Sequence, residues 1–131
     1  MSGNQTPTVD ALLHKAASDE AILNFDTISD SIVGFHAQQA VEKLMKALLT
    51  QLKVPYELTH SLNRLRILLE SQGEYLPSTA LTLGDLTDFA VEYRYSYLPP
   101  LPSLDRKELI ESVRILREHI CNRIAALSSG P

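Results

Sequence analysis

Long apolar runs are missing from this chain. Nowhere in its 131 residues does one approach the roughly 18 residues of a membrane-spanning helix. The N-terminus also lacks the charged, apolar and small-residue succession of a secretory signal, so a cytoplasmic protein without membrane association is expected. Cysteine is nearly absent. With Cys121 alone, no disulfide can form within the chain, which fits a reducing compartment. Following Ile120 in a helical pattern, Cys121 reads as a small buried or half-buried hydrophobe. An excess of positive charge is missing too. A net charge of −4 argues against a generally basic nucleic-acid binder while leaving room for a local basic patch. No apolar–polar alternation marks a strand, no Gly-rich loop marks a phosphate cradle, and no internal repeat is visible.

What remains is helix. The length suits one domain with a real core. Its expected limits are 9–127, between a flexible tail over 1–8 and a short tail over 128–131. Leu12, Leu13, Ala16, Ala17, Ile22 and Phe25 stand at helical spacing and predict a first helix from about Val9 to Ile28. Asp30 or Ser31 is a suitable cap for a second, which runs to about Lys53 and is closed by Pro55. Gly34 near its start lowers helix propensity, a cost that close helix–helix approach would explain. A third helix starts after Thr59 or Ser61, points Leu62, Leu65, Leu68 and Leu69 inward, and stops at Gly73. Ser78 is the expected cap of a fourth, with Leu81, Leu86, Phe89, Ala90 and Tyr93, ended by Leu98-Pro99-Pro100-Leu101-Pro102. Pro99-x-x-Pro102 matches a minimal polyproline ligand, but a helix-terminating linker is the simpler reading.

The last helix has the clearest start. Asp105 with Glu108 three residues on forms a capping-box pattern, and Leu104 and Leu109 stand where a hydrophobic staple places them. Leu109, Val113, Leu116, Ile120, Ile124 and Leu127 form a narrow stripe suited to a neighbouring helix of the bundle or of a second subunit. The fold class expected is all-α, an up-and-down bundle of about five helices.

The second helix is the most informative. Ala37, Ala40, Val41, Leu44, Met45, Leu48 and Leu49 cover about half of its wheel, and His36, Gln39, Glu42, Lys43, Lys46 and Thr50 crowd the rest. Gln38 falls at the edge of the apolar arc beside Met45 and Leu49, where a buried amide must find partners. Gln38 or Arg94 is therefore expected to be less exposed than its polarity suggests, with Gln38 bonding to another helix or to Arg94.

Three blocks together carry a resemblance. They are Phe35-His36-Ala37-Gln38-Gln39-Ala40-Val41-Glu42-Lys43 with Lys46-Ala47-Leu48, then Thr59-His60-Ser61-Leu62, then Tyr93-Arg94-Tyr95. In this order, from about His14 to Ile124, the chain resembles a HEPN domain, a small helical family found in prokaryotes beside minimal nucleotidyltransferases and also in higher eukaryotes. The resemblance implies an up-and-down bundle, often dimeric, with nucleotide- or RNA-related roles. Some members are ribonucleases or toxins of toxin–antitoxin pairs with an Arg-x4–6-His motif, some accompany nucleotidyltransferases, and others are described as nucleotide binders.

A ribonuclease needs an arginine to neutralise the phosphate and a histidine to move a proton, converging on one bond. Arg114 and His119 match the spacing, but five positions on a regular helix turn side chains about 140° apart. Arg94, where the motif is expected, has no histidine within six residues, and no tyrosine lies two residues after His119. The binding reading draws on Gln39, Lys43 and Lys46 with His36 on one arc, His60 at a helix entrance, Arg94 as a phosphate fork and Tyr95 or Tyr97 as a face for a base. The same residues have plain structural readings. Glu42 and Lys46 form an i,i+4 surface pair, Arg94 pairs with Glu92 or a neighbouring helix, and His60 is a cap bonded to a carbonyl. Tyr93, Tyr95 and Tyr97 are then core or interface aromatics. Glu57-x-x-His60 has metal-motif spacing in one copy only, so no metal site is assigned, and no cofactor is implied. Cys121 and His119 point apart on a helix, which argues against a thiol nucleophile.

The reading expected is a non-catalytic accessory module, a homodimer that binds a nucleotide or RNA phosphate, a nucleotidyltransferase partner, or both. The alternatives are a metal-independent ribonuclease or toxin, using Arg114 and His119 or Arg94 with a distant histidine such as His60, and a purely structural interaction bundle. The last helix and the segment 93–101 are the candidate dimer surfaces.

Overall fold

A computed structural model describes residues 7–94 and 104–129, with 92–94 described by their backbone alone. Five α-helices, and no strand among the described residues, confirm the all-α bundle: α1 (Val9–Ala21), α2 (Asp30–Gln51), α3 (Leu62–Ser71), α4 (Leu83–Arg94) and α5 (Arg106–Ser128). A 3-10 turn, Ile22–Asn24, follows α1. No described helix is long and apolar enough to cross a membrane.

The bundle is organised around α2, which packs against each of the other four helices. Neighbours on all sides leave little of it in water: twelve of its 22 residues are buried, so its apolar arc is wider than the wheel alone implies. Leu44, Met45, Leu48 and Leu49 are sealed from solvent. Each contributes on the order of 2 kcal/mol through burial. From the opposite side α5 supplies the narrow stripe Leu109, Val113, Leu116, Ile120 and Ile124, all buried as the spacing predicts, with Leu127 half-buried against them.

Several helix ends differ from the sequence-based expectation. The first helix stops at Ala21 rather than Ile28, because Phe25 turns extended after the 3-10 turn. Phe25, expected inward, is 52% exposed, and Ala17 also faces water. Thr8, from the expected tail, caps this helix by accepting from the Ala11 amide. The cap residue of α2 is Ser29, not Asp30 or Ser31. Asp30 is engaged elsewhere: Arg106 Nε donates to its carboxylate at 2.9 Å, and the same guanidinium reaches the Phe25 and Ile28 carbonyls. One arginine at the start of α5 thus ties down the α1–α2 connection. The second helix ends at Gln51, two residues earlier than expected, in a Schellman pattern: Val54 donates to the Leu49 carbonyl and Lys53 to that of Thr50. Lys53 itself takes the left-handed conformation, φ 60°. The third helix ends in the same pattern with Gly73 (φ 80°) in that place, as its glycine suggested.

The fourth helix starts at Leu83, not after Ser78. Thr82 and Asp85 cap it reciprocally, each side chain accepting from the other's amide. Upstream, the Leu81 amide donates to Ser112 Oγ on α5, which holds this stretch as coil across the bundle. The last helix begins as read, with Asp105 accepting from the Glu108 amide. Below α3, the carboxylate of Glu74 is buried and accepts from Nε and Nη2 of Arg123 at 2.9 Å each, fastening the α3–α4 connection to α5. The bidentate bond holds the Glu74 carboxyl below its ordinary range.

Gly34 has a steric reason. A Cβ built on it would stand 2.6 Å from Cγ of Phe89, so α2 and α4 meet where only hydrogen fits. Gly34→Ala therefore loses stability, by about 1–2 kcal/mol net of the gain in helix propensity. Urea unfolding checks this; a stabilised Gly34→Ala would contradict the contact. The Glu74–Arg123 pair makes a second prediction. Because folding lowers the Glu74 pKa, its contribution is complete above the ordinary carboxyl value of about 4.3 and is lost as pH falls through the folded value. The Tm gap between the wild type and Arg123→Gln is thus constant from about pH 7 to 5 and closes in more acidic buffer.

Candidate functional site

The polar arc of α2 is a lattice of ion pairs built on two buried carboxylates. Asp19 comes from α1, where it continues the inner stripe of Leu12 and Ala16. Glu42 comes from α2 itself and is 3% exposed. Each carboxylate takes one lysine and one histidine. Asp19 accepts from His36 Nδ1 at 2.8 Å through one oxygen and from Lys43 through the other. Glu42 accepts from His60 Nδ1 at 3.0 Å through Oε1 and from Lys46 Nζ at 3.0 Å through Oε2. A carboxylate is an acceptor only, so in both pairs the histidine carries its proton on Nδ1.

Gln38 completes the second cluster. Fully buried, it donates from Nε2 to Glu42 Oε1 (3.2 Å) and to the His60 carbonyl (3.0 Å), while its Oε1 accepts from Gln39 Nε2 at 2.7 Å. The amide at the edge of the apolar arc thus bonds across to the entrance of α3, one of the two partners expected of it. Lys46 also lies over the ring of Tyr56, 5.7 Å from its centroid.

Of the residues singled out as phosphate-binding candidates, the structure brings together Gln39, Lys46 and His60 around Gln38 and Glu42. Lys43 belongs to the Asp19 cluster on the neighbouring strip of the helix. Arg94, as a side chain, and Tyr95 lie outside the described residues, as do Glu92 and Tyr93 as side chains, Tyr97, the Pro99-x-x-Pro102 stretch and most of the candidate dimer segment 93–101. The reading of Glu42 and Lys46 as a surface pair is corrected: the spacing is right, but Glu42 is inside the fold. His60 bonds a carboxylate through its ring rather than a backbone carbonyl, and Ser61 is the residue that caps α3.

Charge decides what this arc offers. Asp19 and Glu42 cancel Lys43 and Lys46, so with neutral histidines the lattice has no net charge. The lysines do not stand as free phosphate ligands. His60 differs, because its side chain is 57% exposed with Nδ1 occupied by Glu42, leaving Nε2 as the ring nitrogen without that bond. Glu57, three residues before it, is exposed and engaged by Arg64, so the pair Glu57 and His60 serves two different partners.

Arg114 and His119 share no hydrogen bond among the described residues. Arg114 is held by Glu111 and Glu118 on its own helix, which push its pKa further up. His119 lies about 140° around the regular helix from Arg114. Cys121 is half-buried as expected, and desolvation pushes its thiol up, lowering its thiolate content at neutral pH. Sequence reasoning missed Asp19. The signal was a carboxylate on the inward stripe of a helix, where such a group needs a cationic partner.

The HEPN domain family model matches residues 11–124. No curated protein and no solved structure matches the chain.

Removing the Glu42 carboxylate leaves Gln38, Lys46 and His60 without their common acceptor. Glu42→Ala is expected to cost about 3 kcal/mol in denaturant unfolding, and Glu42→Gln, which keeps an acceptor oxygen, distinctly less. A loss below about 1 kcal/mol for the alanine variant would mean that water replaces the carboxylate.

Proposed function

The chain belongs to the HEPN domain family, and from that premise we propose that it is a non-catalytic accessory module, working as a homodimer, that holds a nucleotide or RNA phosphate where His60 surfaces and that serves a nucleotidyltransferase partner. The family supports a nucleotide- or RNA-related module. The observation that carries the finer reading is the setting of His60. A buried carboxylate fixes its ring through Nδ1, and the side chain emerges at the start of α3, where helix amides favour an anion. Lys46 stands behind it on the other oxygen of Glu42 and stabilises a phosphate through the shared network rather than by direct capture. The non-catalytic part rests on Arg114, which is held by Glu111 and Glu118 on its own helix, and on the rotation of about 140° that separates it from His119 along a regular helix.

One observation favours a second reading, a purely structural interaction bundle: Lys43 and Lys46 are already neutralised by Asp19 and Glu42.

Titration of labelled single-stranded RNA, ATP and GTP in metal-free, low-salt buffer separates these readings. Saturable binding is expected, weakened about tenfold by His60→Ala through loss of the hydrogen bond that Nε2–H of the imidazolium donates to a phosphate oxygen; with Nδ1–H committed to Glu42, the neutral ring has only an acceptor there. Binding should also weaken as salt is raised. No binding by a well-folded sample at millimolar nucleotide would leave the structural bundle, and RNA cleavage abolished by His119→Ala would overturn the non-catalytic reading.

A further inference from the structure

Beside the ion-pair lattice, the connection from α2 to α3 carries an apolar knob next to an apolar hole. Pro55, Tyr56 and Thr59 of the connection, with Ile67 and Leu68 of α3, line a groove of about 350 Å³. Leu58 stands between Glu57 and Thr59, which both line that groove, and is 99% exposed. Ile67 is exposed on the α3 side of the same groove. A single exposed leucine is ordinary. A fully exposed leucine on the rim of an apolar groove is a different matter, because the groove supplies the kind of surface that the leucine lacks.

The charges on this face have the same character. Glu57 and Arg64, both exposed, also line the groove and pair with each other. A negative and a positive group therefore stand side by side with the knob and the hole. A small-molecule ligand or an unrelated protein needs only the hole. A two-fold dimer needs a surface that complements itself, presenting both halves of each contact.

We propose that this face is the homodimer interface, with Leu58 of each copy seated in the groove of the second copy and Glu57 of each facing Arg64 of the other. The assignment rests on the homodimer reading given above and replaces the last helix and the segment 93–101 as its location. It also sets the two His60 side chains beside the contact, since His60 lies two residues after Leu58 on the same connection.

Light scattering on the full chain at tens of micromolar tests it, with circular dichroism as the check on folding. The wild type is expected to be a dimer. Leu58→Asp, whose side chain has no intramolecular packing to lose, should weaken the dimer at least tenfold with an unchanged helical spectrum. Glu57→Arg, which sets arginine against arginine, should weaken it as well, and adding Arg64→Glu to that variant should restore it. A wild-type dimer that survives both Leu58→Asp and Glu57→Arg overturns this interface while leaving the homodimer standing. A wild-type monomer overturns both.

Discussion

Glu42 places a carboxylate out of water on the helix that touches every other helix, and its position there has to be secured before the bundle can close. Leaving such a group unpaired in a protein interior costs several kcal/mol, more than a typical core contact returns. Gln38, Lys46 and His60 answer that cost from three directions: the previous turn of α2, the next turn, and the entrance of α3. Asp19 repeats the arrangement toward α1 with His36 and Lys43. The polar half of α2 is therefore as much a packing surface as its apolar half. It ties α1 and α3 to the hub by directional bonds, while α4 and α5 are held chiefly by close apolar contact at Gly34–Phe89 and along the Leu109–Ile124 stripe.

This arrangement bears on function through charge. Lysines in a row on a helix read as a landing strip for phosphate, yet here each is committed to a carboxylate that needs it. The side chain most exposed to an incoming ligand is His60, which is also the one whose ring is oriented by a buried group. On the proposed reading, recognition at this site depends on a positioned ring nitrogen with a polarised network behind it, not on a broad field of positive charge. That fits a chain whose overall balance is −4. It also explains how a family signature rich in polar residues can serve the fold first: Gln38, Glu42, Lys46 and His60 form one connected cluster, so none of them changes without disturbing the α2–α3 junction.

Much of the architecture was legible in advance where the physics is local. The capping pattern at Asp105, the proline after α2 and the glycine after α3 act within a few residues of themselves, and the apolar stripe of α5 is a repeat along one helix. Gln38 was legible because an amide at the edge of an apolar arc has few choices. Phe25 and Ser78 misled for the opposite reason. Apolar spacing continues through Phe25, but the chain leaves the helix before reaching it, and Ser78 looks like a cap although Thr82 and Asp85 form a better one. Competing local signals of similar strength are settled by packing, here by Ser112 of α5 holding the Leu81 amide.

From its residues alone the chain is an all-helical bundle with the signature of its family, because periodicity, caps and motif order are properties of neighbours along one strand of polymer. Which lysine meets which carboxylate is a different kind of fact. Asp19 and Lys43 are 24 positions apart, Glu42 and His60 18, Glu74 and Arg123 49. Such pairs exist only once helices have been laid against one another, since the energy of an ion pair depends on a separation in space and on the removal of water around it. Folding turned a row of apparent phosphate ligands into a neutral lattice and left His60 at its surface.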